Sequence, residues 1–151
     1  DSRLRAADGL FAAGDIASFP EPRTGERVRI EHWRTAQQQG RTAARNMVGR
    51  NVPFDGVPFF WTQQFEVGLL YVGHAATWDE IIYRGDVASH DFLAFYLKDN
   101  RVLAVAGMNR DREMAAAEEL LRLDQMPTRE QLQLNDVSLV EMLQAPESIN
   151  A

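Results

Sequence analysis

Apolar and polar positions change character partway along the chain. Near the start, Leu10-Phe11-Ala12-Ala13 is a short apolar run closed by Gly14-Asp15, which predicts a buried strand ending in a tight turn. Residues 18–27 carry Pro20, Pro22 and Gly25 among charges and read as a loop, with a short strand expected at Val28-Arg29-Ile30. From Glu31 to Val48, Trp33, Ala36, Gly40, Ala43, Ala44 and Met47 recur at helical spacing. That pattern predicts a helix with one apolar or small stripe, stopped by Gly49. The small residues of the stripe leave room for a sheet, another helix or a ligand.

Asn51 to Pro58, with Pro53, Gly56 and Pro58, reads as a linker, after which the pattern becomes strand-like. The aromatic cluster Phe59-Phe60-Trp61 comes first. Strands are predicted at Val67–Val72, Glu80–Arg84, Phe92–Leu97 and Val102–Ala106, with Asp99-Asn100 as a hairpin turn. A helix follows at Arg112–Leu123, a helical turn at Thr128–Leu134, and a short helix at Leu139–Gln144 with Ser138 as N-cap. The expected class is α+β: strand, turn, loop and helix, then a linker, then an antiparallel sheet with flanking helices.

Composition narrows the chemistry. The chain has 151 residues, 45% apolar and 25% charged, in the range of globular proteins and enough for a core. No apolar run reaches the ~20 residues of a membrane span, and Asp1-Ser2-Arg3-Leu4-Arg5 has no apolar signal core. No membrane association and a cytoplasmic location are therefore expected. Cys is absent, so thiolate metal sites, iron–sulfur ligation and a redox dithiol are excluded within these residues. A first residue other than Met, just ahead of an apolar run, is read as the mark of a piece of a longer protein. Net charge is −6 but uneven. Residues 1–50 carry nine arginines against six acids, or +3, and residues 51–151 sum to −9. The acidic total argues against nucleic acid as partner, whereas the basic first third suits an acidic partner or anionic ligand.

Three groups of residues could carry chemistry. Gly14-Asp15, delivered by a strand, could place a carboxylate where sugar hydroxyls are bound and let backbone approach a phosphate, although Gly-Asp is also an ordinary turn. Glu31-His32-Trp33 opens the long helix, whose N-terminal N–H groups and positive dipole end suit an anion or electron-rich carbonyl. Trp33 could wall a planar ligand or equally anchor the helix in a core. In Phe59-Phe60-Trp61, three rings in a row exceed what one strand face buries, so at least one must face a cofactor or an interface. His32, His74 and His90 lack metal-ligand spacing, and no Gly-x-Gly-x-x-Gly, P-loop or nucleophile-elbow motif is present.

The ordered series Leu10-Phe11-Ala12-Ala13-Gly14-Asp15, Arg27-Val28-Arg29-Ile30-Glu31-His32-Trp33, Ala36 to Ala44 and Phe59-Phe60-Trp61-Thr62 resembles the FAD-dependent ferredoxin reductases of oxygenase systems. These are the putidaredoxin, rubredoxin and aromatic-dioxygenase reductases, and apoptosis-inducing-factor-like proteins share much of the pattern. The likeness continues through Val72-Gly73, Asp79 to Gly85 and Arg101 to Ala106. It implies that residues 1–50 form the last strand–helix segment of an FAD-binding Rossmann-like domain, 51–58 a linker, and 59–151 the C-terminal reductase domain.

The resemblance also implies residue roles. Asp15 matches the aspartate that holds the ribityl chain of FAD, next to Gly14. Ile16 matches a position whose backbone lies near the pyrophosphate. Trp33 matches a position whose backbone amide faces the pyrimidine end of the flavin, at the helix start formed with Glu31 and His32. Trp61 matches an aromatic residue beside the isoalloxazine. The implied activity passes electrons from NAD(P)H through FAD to a ferredoxin- or rubredoxin-type iron–sulfur protein. Residues 1–151 alone are expected to be inactive, because the family's FAD fingerprint and NAD-binding domain lie upstream. The alternatives are an apoptosis-inducing-factor-like flavoprotein with a signalling or assembly role, and a non-catalytic interaction domain. A homodimer is among the assemblies the sequence allows.

Overall fold

The computed structural model describes residues 1–134 and 137–144. The chain divides into two compact units, the first spanning Asp1–Phe59 and the second starting at Phe60.

The first unit is built from two small antiparallel ribbons and one long helix. Strands β1 (Arg5–Ala7) and β2 (Leu10–Phe11) pair with each other, as do β3 (Phe19–Pro20) and β4 (Arg27–Val28). The predicted buried strand at Leu10–Ala13 is thus shorter and more open than expected. Leu10 is 57% exposed, because a two-stranded ribbon offers no second layer to cover it. The predicted loop at 18–27 contains most of a hairpin instead. Pro20 is tolerated there because the ribbon has no second neighbour to receive its missing N–H. Leu4, Phe19, Val28, Ala43 and Phe54 form a small core, with Phe19 and Phe54 packed edge to face at 5.3 Å.

Helix α1 spans Trp33–Met47 rather than starting at Glu31. His32 is the N-cap, in extended conformation, and Gly49 at φ 82° ends the helix one residue beyond its C-cap. Only part of the expected stripe is buried: Ala43 is, and Ala36 is half-buried. Trp33, Gly40, Ala44 and Met47 are exposed, whereas Thr35, Gln39, Thr42, Ala43 and Asn46 are buried. A largely polar face can be buried because its amides bond the main chain. Asn46 Nδ2 donates to the carbonyls of Arg3 (2.9 Å) and Val52 (2.8 Å), and its Oδ1 accepts the Val52 N–H (2.7 Å). Two strands of chain and the helix end are thereby joined at one side chain.

The second unit is a five-stranded antiparallel sheet: β5 (Phe59–Gln64), β6 (Val67–Gly73), β7 (Glu80–Asp86), β8 (Asp91–Lys98) and β9 (Arg101–Met108), in the order β5-β6-β9-β8-β7. Four strands lie where predicted, each slightly longer, and the aromatic cluster supplies the fifth. Asp99 and Asn100 both take positive φ between Lys98 and Arg101, the primed turn that matches strand twist. Helix α2 (Asp111–Arg122) packs on β6 and β9. Gly107 leaves the room for it, since a Cβ there would sit 2.6 Å from Met114 Sδ. Val72, Phe95, Leu97, Val105, Met114, Leu120 and Leu121 are fully buried. On one face, Ala94 and Ala106 are cross-strand partners, and their small size leaves space for Tyr71, which meets the Tyr96 ring at 5.9 Å.

The short helices α3 (Arg129–Leu134) and α4 (Leu139–Gln144) are both capped, the second by Ser138 as the sequence suggests. Thr128 and Gln131 exchange backbone-to-side-chain bonds, and Ser138 Oγ accepts the Glu141 N–H. Arg84 of β7 fastens the segment down by donating to the carbonyls of Gln131, Leu132 and Val137, while Arg129 pairs with Glu80. Among the described residues, no helix is long and apolar enough to cross a membrane.

Candidate functional site

The site is built where the chain leaves β2 and meets α1. Gly14 takes φ 80°, a conformation that disfavours any side chain, and a Cβ there would already touch the Ala36 Cβ at 3.4 Å. Its N–H donates to the buried Gln39 Oε1 at 2.8 Å, and its carbonyl accepts the Ala17 N–H at 2.8 Å. The turn is thus tied to the helix on one side and closed on the other. Between these ties, Asp15 and Ile16 project outward, Ile16 to 77% exposure. A cleft of about 400 Å³ opens beside Ile16, lined by residues that include Leu4, Ala12, Ala17 and Arg27.

The helix start completes the cluster. His32 Nδ1 accepts the Arg34 N–H at 3.3 Å, the N-cap bond. Burial, then the Arg34 charge, lowers the His32 pKa from its ordinary 6.5, and the Asp15 carboxylate partly opposes this. Gly14, the neighbour of Asp15, is bonded to Gln39 in the second turn of α1. The first turn contains no acid and carries Arg34, whose guanidinium lies 4.4 Å from the Phe59 ring centroid. A cation at the positive end of a helix dipole is unfavourable in isolation and favours a negative group nearby. Glu31 is exposed just ahead of the cap. The Trp33 ring is 55% exposed, so Trp33 is not the core anchor that was one reading of it.

Of the residues singled out from sequence, Gly14, Asp15 and Ile16 lie on the turn after β2 that is bonded to α1, and Glu31, His32 and Trp33 lie at the start of that helix. Trp61 belongs to the second unit, in β5, with 43% of its surface exposed. Phe60 beside it stacks on Tyr71 at 5.1 Å, so the three adjacent rings do not share one buried environment.

Gln39 was missed. Its signal was present, since Thr35, Gln39, Thr42 and Asn46 recur at steps of four, three and four. A polar repeat at helical spacing is easily read as a solvated face. Here it is the buried one.

This arrangement can bind an elongated, anionic, hydroxyl-bearing ligand. It offers a carboxylate acceptor on a fixed turn, a helix N-terminus for negative charge, an open indole, and a cleft continuing past Ile16. A flavin dinucleotide has these features, so the donor set fits that group. Gln39 Nε2, buried without a partner, marks the interior side of the turn as polar too.

Comparison with known proteins gives three consistent results. Residues 59–143 match the family model described as Reductase C-terminal. The chain is 36% identical over 140 residues to putidaredoxin reductase of Pseudomonas putida, covering 92% of this chain and 33% of that one. It is 41% identical over 114 residues to apoptosis-inducing factor 3 of Mus musculus, covering 75% of this chain and 19% of that one. Among solved structures, a ferredoxin reductase from Rhodopseudomonas palustris superposes with TM-score 0.85 at 33% identity, covering 94% of this chain and 35% of that one. The chain spans about a third or less of the length of these relatives.

Proposed function

Since this chain belongs to the reductase C-terminal family, we propose that it serves an FAD-dependent NAD(P)H oxidoreductase that passes electrons to a ferredoxin- or rubredoxin-type iron–sulfur protein. Residues 1–50 close the FAD-binding domain, 51–58 link, and 59–151 form the C-terminal reductase domain. The observation that carries this reading is the Gly14–Asp15 turn fastened to α1 through Gln39.

FAD, when bound, supplies hydride acceptance from a nicotinamide and one-electron release to an acceptor. The chain's own residues hold and tune it. Asp15 would hold the ribityl hydroxyls by accepting their hydrogen bonds, and the Gly14–Ile16 backbone would serve the phosphate end. The Trp33 N–H and the α1 dipole stabilise negative charge, with His32 neutral and capping at physiological pH. In the first unit, Trp33 offers exposed aromatic surface suited to a flat ring system; Trp61, in the second, is also exposed. Residues 1–151 alone remain inactive, and the working enzyme is cytoplasmic.

Helix α1 carries Arg34, Arg41 and Arg45 and no acid, with Arg41 and Arg45 exposed, which suits an acidic iron–sulfur partner. In the full-length enzyme, Arg41→Glu should raise the KM for that partner about fivefold or more at low salt, with kcat largely kept. The effect should shrink at 0.5 M salt. An unchanged KM at low salt would remove α1 from the docking surface.

The alternative, an apoptosis-inducing-factor-like flavoprotein, draws on the 41% identity to that relative. The match to putidaredoxin reductase extends over more of the chain, 92% against 75%, and favours the reductase.

A further inference from the structure

We propose that Gln39 is a positioning residue of the flavin site, acting through Gly14 to fix where Asp15 places its carboxylate. This rests on the reading of Asp15 as a flavin contact. Gln39 has 0% exposure, in the middle of α1, with no contact to solvent. Its Oε1 accepts the Gly14 N–H at 2.8 Å, across 25 residues of sequence.

Packing alone is a poor reason for an amide there. Glutamine is rarely fully buried, and Leu or Met would fill similar volume without polar atoms to satisfy. Gln39 also leaves its Nε2 donor unmatched, a cost that an aliphatic side chain would not carry. What the amide provides is one acceptor aimed at the residue before Asp15. Without it, the Gly14 N–H would be an unpaired donor against the helix.

The rest of the turn makes that single bond decisive. Gly14 at φ 80° is the most mobile kind of residue at this place, and its other tie, to Ala17, lies within the turn itself. The Gln39 bond is the hydrogen bond that connects Gly14 to the helix. Ala36 and Gln39, three residues apart on α1, lie beneath the turn: Ala36 faces Gly14, and Gln39 holds it. Losing the Gln39 contact frees the Asp15 carboxylate to shift relative to α1 while leaving the helix intact. Displacements of about 1 Å are enough to weaken a preorganised site.

The experiment uses the full-length flavoprotein, stripped of FAD and titrated with it. Five proteins are compared: wild type, Gln39→Met, Asp15→Ala, the double variant, and Gln39→Glu as the conservative rescue. Gln39→Met keeps bulk and loses the acceptor, whereas Gln39→Glu keeps an acceptor. Gln39→Met should raise the FAD dissociation constant about tenfold and shift the visible flavin bands. Its effect should fall to about twofold or less in the Asp15→Ala background, because Gln39 acts through Asp15. Gln39→Glu should stay within about threefold of wild type. An unchanged dissociation constant for Gln39→Met overturns the proposal, as does the same tenfold loss in the Asp15→Ala background, which would mean general support of the fold. Failure of the flavin reading looks different: wild type would not bind FAD, or Asp15→Ala would bind it as wild type does.

Discussion

In the second unit, backbone ladders and apolar side chains hold the chain, while in the first the main chain is gripped by buried amides. Phe95, Val105 and Leu120 have no exposed surface, and β8 and β9, which carry the first two, pair over seven or so residues. The first unit has strands of two or three residues and a core of five buried side chains. Its order comes from Gln39, Asn46 and also Glu21, whose carboxylate accepts the N–H groups of Arg23 and Thr24 and pairs with the Arg23 side chain. The difference fits a division of labour. A ladder-built sheet gives a stiff base, and an amide-held turn can present a carboxylate at a defined point without a large core beneath it.

The contrast can be broken by substitution. Phe95→Ala should cost about 3–5 kcal/mol, the cavity and transfer cost of a fully buried ring. Asn46→Leu should cost about 2 kcal/mol although it adds apolar bulk, because the Val52 N–H and two carbonyls lose their partner in a partly wet site. Denaturant titration gives both values, and hydrogen exchange should place the Asn46 effect within residues 1–59. A neutral or stabilising Asn46→Leu would mean that the first unit is held by its apolar core after all.

The smallest effect concerns pH. His32 has a pKa below its ordinary 6.5 because of burial and the Arg34 charge, and its neutral Nδ1 caps α1. The unfolded chain therefore takes up a proton more readily than the folded one. This contribution is full above pH 6.5 and is lost as pH falls through the lowered folded value. Melting of the first unit should decline between pH 7.5 and 5, and His32→Asn, which caps without titrating, should flatten that decline. An identical slope in both would assign it to other groups.

Legibility in the sequence follows the same division. Four sheet strands, the Asp99-Asn100 turn and the cap at Ser138 could be read from local pattern, because alternation, turn type and capping are short-range rules. The ribbons β1–β2 and β3–β4 could not, since strands of two or three residues have no period to detect. The α1 stripe was misassigned for a different reason. Its buried residues are polar apart from Ala43, and Gln39 and Asn46 bond the main chain at Gly14, Arg3 and Val52, partners that only the folded chain reveals. Asp15 and Trp33 were found through family resemblance and composition of the turn, whereas Gln39 needed the structure.

The central claim is that the Gly14–Asp15 turn and the first turn of α1 together hold the flavin. Hydrogen exchange of the full-length protein with and without FAD tests it directly. The account predicts that added FAD slows exchange in peptides covering Gly14–Ala17 and Trp33–Ala36, and that Asp15→Ala removes most of this protection. Tight FAD binding that leaves both peptides exchanging at their unliganded rates would contradict it.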